Sequence, residues 1–282
     1  MTQQGDSTRS RGETRSVDVD GVRYAYRELG LRSGVPLVAL THLGATLDGW
    51  DPAVLDALGE HRRVVAIGYR GVGSSTGRVH DSIEAMATDA VAVIRALGYD
   101  TVDLLGMSMG GMVAQAVAAQ APDLLRRVVL AGSGPAGGPG LSEMTRVTWT
   151  TTARALATFR DPKELLFFTR TDTGRAAAKD YLARLRLRTT DREPAAGPGV
   201  FRAQLAAVRR WATSGPVDLS ALAGRTLLVH GEADRMVPVG NLWALARLVP
   251  DAPTVIYPDS GHGAPFQNHR AFVATVSDFL AH

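Results

Sequence analysis

Gly106-Met107-Ser108-Met109-Gly110 puts a serine between two glycines, where an apolar run (Thr101 to Leu105) meets a helical pattern from Met109 to Gln120. That spacing is the pattern of a nucleophile elbow, a strand-to-helix turn tight enough to strain the serine's backbone and to exclude bulk two residues away. A serine hydroxyl is a weak nucleophile until a base takes its proton, and the base needs an acceptor to orient it. Among the seven histidines (His42, His61, His80, His230, His262, His269 and His282), His262 stands in Pro258-Asp259-Ser260-Gly261-His262-Gly263, between the last strand pattern and the last helical one. In an open α/β sheet such strand-end loops form the functional edge, where Ser108 also belongs. The orienting carboxylate belongs on another such loop. Gly231-Glu232-Ala233-Asp234 follows a buried strand pattern and offers Asp234, with Glu232 as the alternative. The preceding loop, Gly132-Ser133-Gly134-Pro135, holds no acid, and Asp259 reads as a residue capping its own turn. Ser108, His262 and Asp234 are therefore the expected nucleophile, base and acid.

The elements that must position them alternate. Ser16–Val19 and Val22–Leu29 read as a hairpin around Asp20-Gly21. Val35–Thr41 and Arg63–Ile67 are nearly unbroken apolar runs, as in strands buried on both faces. Ser82 caps a helical pattern to Leu97, and Arg127–Ala131 is a further strand. After the Gly/Pro cluster 132–140 the pattern is helical only, about four helices to residue 214. Strands resume at Arg225–His230 and Thr254–Tyr257, separated by a helix from Val239 to Leu248 and followed by one from His269 to Ala281. This order predicts an α/β fold: a mostly parallel twisted sheet flanked by helices, with an inserted helical cap. The expected organisation is a disordered tail at 1–15, a core formed by 16–140 and 215–282, and the cap at 141–214.

Bulk properties narrow the function classes. The 282 residues include no cysteine, which excludes disulfides, a thiolate nucleophile and cysteine metal sites. No run approaches the ~20 apolar residues of a membrane span, and Met1–Arg15 lacks the apolar centre of a secretory signal, so a cytoplasmic location is expected. Net charge is +3, with scattered arginines and only two lysines, Lys163 and Lys179; nothing resembles a nucleic-acid patch. No H-E-x-x-H is present, and the glycine-rich Gly132-Ser133-Gly134-Pro135 resembles a phosphate loop only superficially because Pro135 removes an N–H, so neither metal nor cofactor is expected. The expected partner is a small-molecule substrate, without nucleic acid or membrane. Oligomeric state is left open, a homodimer being one option.

From Ser16 to Ala281 the chain resembles an α/β-hydrolase with a helical cap. Four motifs carry the likeness in order: Arg70-Gly71-Val72-Gly73-Ser74-Ser75, Gly106-Met107-Ser108-Met109-Gly110-Gly111, His230-Gly231-Glu232-Ala233-Asp234 and Ser260-Gly261-His262. Thr41-His42-Leu43-Gly44 stands where many relatives carry His-Gly, and is similar to the Leu-Gly form of 3-oxoadipate enol-lactonase-like hydrolases. The resemblance implies an oxyanion hole from the N–H groups of Met109 and Leu43, with Gly44 the alternative. Gly68 departs from a common aspartate in a turn taken as structural. Met107 and Phe266 flank catalytic positions and are expected to touch substrate, as are His42 and the cap aromatics Trp149 and Phe167. The implied activity is hydrolysis of a carboxylic ester or lactone through an acyl-enzyme. A serine at the elbow argues against haloalkane dehalogenases and epoxide hydrolases, which need a carboxylate nucleophile. The rivals are C–C bond or thioester hydrolysis or perhydrolysis by the same triad, and a non-catalytic ligand-binding member of the fold.

Overall fold

The computed structural model describes residues 9–281. One sheet of eight strands runs through the chain in the order β1-β2-β4-β3-β5-β6-β7-β8. Strands β1 (Arg9–Val19) and β2 (Val22–Leu31) form an antiparallel hairpin, and β2 continues antiparallel onto β4 (Arg63–Ile67). The remaining pairs are parallel, joining β3 (Leu37–Leu40), β5 (Val102–Met107), β6 (Leu125–Ala131), β7 (Thr226–Gly231) and β8 (Thr254–Tyr257). The central strands β3 and β5 are buried along their whole length, as uninterrupted apolar runs require when helices cover both sheet faces. Those helices are α1 (Pro52–Gly59), α2 (Ile83–Ala96) and α3 (Met109–Gln120) in the first half. Ser82 caps α2 by accepting from the Ala85 N–H at 3.2 Å, which satisfies one of the orphan donors of the first turn.

Between β6 and β7 the described residues are helical: α4 (Met144–Ala157), α5 (Pro162–Phe167), α6 (Asp172–Leu185) and α7 (Pro198–Thr213). The chain then finishes with α8 (Gly240–Leu248), α9 (Ala264–Gln267) and α10 (His269–Ala281). Several contacts fix the helical segment to the sheet layer. Arg184 of α6 grips the fully buried Asp51 at 2.9 and 2.6 Å and also donates to the Phe266 carbonyl. Tyr181 stacks on Phe266 with centroids 4.7 Å apart. Glu193, in the connection before α7, accepts from the N–H groups of Leu47 at 2.7 Å and Ser74 at 3.0 Å. The Gly71–Ser75 turn thus presents a main-chain donor to a carboxylate from the helical segment.

One expectation needs correction. Residues 9–15 are not a disordered tail but the first half of β1, paired from Arg9↔Leu31 onward; residues 1–8 lie outside the described residues. The polar composition misled because an edge strand is held by its main-chain ladder, not by an apolar face. Around a bulge at Gly12 (φ +67°), Thr14 further donates to Asp191 at 2.8 Å, and Arg27 donates to Thr14 at 2.9 Å.

Candidate active site

Ser108 sits between β5 and α3 with φ +56° and ψ −118°, a conformation that costs ~1–3 kcal/mol for a residue with a side chain. The surroundings impose it. Its N–H donates to the Ala131 carbonyl at 2.9 Å, and its own carbonyl accepts from Ser133 Oγ at 2.9 Å. A Cβ on Gly106 would lie 2.5 Å from the Gly110 carbonyl oxygen, and one on Gly110 would lie 2.1 Å from that of Leu40. The end of β3 therefore packs directly on the start of α3, and only glycine fits there.

Three loops at the carboxyl edge of the sheet meet at this serine. His262 Nε2 lies 2.8 Å from Ser108 Oγ, and His262 Nδ1 lies 2.7 Å from Asp234 Oδ2. Because a carboxylate only accepts, Nδ1 carries the proton and Nε2 is the free base facing the hydroxyl. Asp234 is itself held, its Oδ1 accepting from the N–H groups of Met236 at 2.8 Å and Val237 at 2.9 Å. All three side chains are buried. The alternative acid, Glu232, is exposed. Asp259 accepts from the Thr171 hydroxyl at 2.8 Å and so joins its turn to the start of α6. His230 is buried, with Nε2 2.8 Å from the Val237 carbonyl, and burial lowers its pKa below the ordinary histidine value.

The serine and His262 open into a cavity of about 360 Å³, within the range of small-molecule sites. Its walls join the loop after β3 (His42, Leu43, Gly44) to the helical segment (Thr148, Trp149, Thr152, Leu166, Phe167, Phe201) and to Met236. Asp161 and Lys163 supply its opposed charges, with Nζ 3.9 Å from Oδ1. Phe167 sits edge-on to both histidines, 5.0 Å from His42 and 5.5 Å from His262. Its carbonyl accepts from the Gly263 N–H at 2.7 Å, which ties the His262 loop to the end of α5. His42 is buried, and its Nδ1 donates to the Leu43 carbonyl at 3.0 Å. Burial pulls its pKa down to about 4, helped by the nearby His262 and Lys163.

Of the residues expected to touch substrate, His42, Trp149 and Phe167 line this cavity. Met107 and Phe266 do not. Met107 closes β5 and is buried inside the sheet layer, because the elbow turns only the next side chain toward the opening. Phe266 spends its ring on Tyr181 and on Trp50, whose centroid is 6.5 Å away, as part of the joint between α6 and α9. Met109 is fully buried and does not line the cavity, so what it offers the site is its main chain. Reading the sequence missed Met236 and Lys163, and held Phe201 only as one of seven cap aromatics of which roughly two or three should face the pocket. Met236 had a usable signal, two residues beyond Asp234; Lys163 comes from a distant helix and had none.

No helix among the described residues is long and apolar enough to cross a membrane. Residues 35–269 match the family described as the alpha/beta hydrolase fold. A 2-hydroxy-6-oxo-2,4-heptadienoate hydrolase from Pseudomonas putida is 28% identical over 95% of this chain and 96% of its own length. An alpha/beta hydrolase fold protein from Chitinophaga pinensis superposes with a TM-score of 0.89 at 34% identity, covering 96% of this chain and 98% of the other. The enol-lactonase from Burkholderia xenovorans shares the fold with a TM-score of 0.69 at 23% identity, over 95% of this chain and 100% of its own.

Proposed function

This chain belongs to the α/β-hydrolase fold family and is a hydrolase of that fold, and we propose that it cleaves a carboxylic ester or lactone of a small, largely apolar molecule through an acyl-enzyme on Ser108. The observation that carries the reading is the continuous relay from Asp234 through His262 to Ser108, at 2.7 and 2.8 Å, opening into a mostly apolar cavity. In this reading His262 Nε2 takes the Ser108 proton as Oγ attacks the carbonyl carbon. Asp234 holds the imidazole in the competent tautomer and stabilises its cation. The Met109 N–H, at the start of α3, and the Leu43 N–H receive the developing oxyanion. Gly44 is the weaker candidate for the second donor, since its N–H is already given to Gln204 Oε1 at 2.7 Å. His262 then passes its proton to the leaving alcohol, and water attacks the acyl-enzyme by the same relay in reverse.

Likeness to the heptadienoate hydrolase supports C–C bond hydrolysis as a second reading. Against it stands the charge of the cavity: its Lys163 is opposed by Asp161, leaving no net positive charge for a dienoate carboxylate. A panel of p-nitrophenyl esters, lactones and vinylogous diketones separates the two. Ser108→Ala should lower p-nitrophenyl acetate turnover by roughly 10⁶-fold, the scale of deleting a triad serine, and abolish labelling by a fluorophosphonate. Retained activity in that variant, or no labelling of the wild type, refutes the assignment.

A further inference from the structure

His42-Leu43-Gly44-Ala45 forms a β-turn, closed by the Ala45 N–H donating to the His42 carbonyl at 3.2 Å. Its third residue, Gly44, has φ +74°. A positive φ there marks a type II turn, which differs from type I in which way the central peptide faces. That peptide, Leu43–Gly44, is held at both ends. The Leu43 carbonyl accepts from His42 Nδ1 at 3.0 Å, and the Gly44 N–H donates to Gln204 Oε1 at 2.7 Å. Gln204 comes from α7, in the helical segment, and is fully buried. Phe201, one turn earlier on the same helix, packs against Gly44 so closely that a Cβ there would lie 2.9 Å from its ring.

We propose that Gln204 is a positioning residue for the oxyanion hole: it takes up the Gly44 N–H and pins the turn, so that the Leu43 N–H, carried by the preceding His42–Leu43 peptide, is the second donor. This rests on the serine-hydrolase reading above. If the Leu43–Gly44 peptide flipped, the Leu43 carbonyl would replace the Gly44 N–H and face Gln204 Oε1, acceptor against acceptor. With Gln204 in place the turn has one state, and the hole is complete only while α7 is docked on the loop. A second observation separates this role from plain stability. Gln204 Nε2 is buried without a hydrogen-bond partner among the described residues. An unpartnered buried donor is a cost that an apolar side chain of the same length would not carry.

The test compares the full-length wild type with Gln204→Met and Gln204→Glu, using p-nitrophenyl acetate hydrolysis, thermal unfolding and inhibition by an aryl trifluoromethyl ketone, whose serine adduct carries the oxyanion. Gln204→Met should lower kcat roughly ten- to a hundred-fold, between one buried hydrogen bond and a whole lost donor. It should weaken the ketone by a similar factor and leave KM and Tm at or near the wild-type values. Gln204→Glu keeps an acceptor for Gly44 and should restore kcat to within about three-fold of wild type. Wild-type kcat and ketone affinity in Gln204→Met overturn the inference; so does a joint fall of kcat and Tm that Gln204→Glu does not repair. Should Gln204→Met not fold, Gln204→Glu against the shorter Gln204→Asn decides, equal kcat overturning the inference. A wild type that neither hydrolyses the ester nor reacts with a fluorophosphonate overturns the serine-hydrolase reading itself, whereas an active wild type beside an unaffected Gln204→Met overturns the inference alone.

Discussion

His42→Leu isolates a single proton-linked contribution to folding. His42 is 5% exposed, its Nε2 has no hydrogen-bond partner among the described residues, and its pKa falls from the usual 6.5 to about 4. The main cause is burial, which penalises the imidazolium; the neighbouring His262 and Lys163 act in the same direction, and the Leu43 carbonyl opposes them. The folded pKa lies below the unfolded one, so as pH falls the unfolded chain takes the proton first. The stability is therefore intact above pH 6.5 and is lost as pH falls toward 4. At about 1.36 kcal/mol per unit of pKa difference, the loss reaches about 2 kcal/mol at pH 5 and about 3 kcal/mol at pH 4. Urea unfolding of wild type and His42→Leu at pH 7, 6, 5 and 4 measures it, because other groups, His230 among them, titrate in both proteins. The gap between the two curves should change by about 3 kcal/mol from pH 7 to pH 4, the wild type losing more. Curves that stay parallel across that range refute the account of His42 as a neutral buried base.

Two other contacts lend themselves to direct measurement. Asp51→Ala removes the fully buried partner of Arg184 and a cap of α1, where Oδ1 accepts from the Ala53 N–H at 3.0 Å. Breaking such a pair costs about 3 kcal/mol, so calorimetry should show Tm lowered by roughly 6–10 °C; an unchanged Tm would mean that α6 does not depend on this ion pair. Glu193→Ala deletes the carboxylate that receives the Leu47 and Ser74 N–H groups. At ~1.5–3 kcal/mol per charge-assisted bond, amide hydrogen exchange at both residues should quicken roughly ten- to a hundred-fold, and wild-type protection there would show that the connection before α7 does not latch onto the turn.

The sequence alone was enough for the layered α/β fold and for singling out Ser108, His262 and Asp234, which the structure brings within hydrogen-bond reach of one another. Each of those signals is local. An elbow needs glycines at fixed offsets because Leu40 and Gly110 backbones touch across it, and buried strands announce where functional loops begin. The errors are equally physical. Arg9–Arg15 reads as tail because a strand edge is stabilised by main-chain pairing that composition does not report. Phe266 and Met107 were expected at the substrate because adjacency in sequence was taken for adjacency in space; one ring went to Tyr181 and one side chain to the sheet interior. The walls of the cavity come from residues far apart in the chain, such as Phe201 against Gly44 and Lys163 beside Asp161. The same holds for the choice between Leu43 and Gly44. Both carry the same N–H, and only the arrival of Gln204, 160 residues later in the chain, commits one of them. Local chemistry is written in the spacing of neighbours, whereas the shape of a cavity and the direction of a peptide are set by whichever distant surface packs against them.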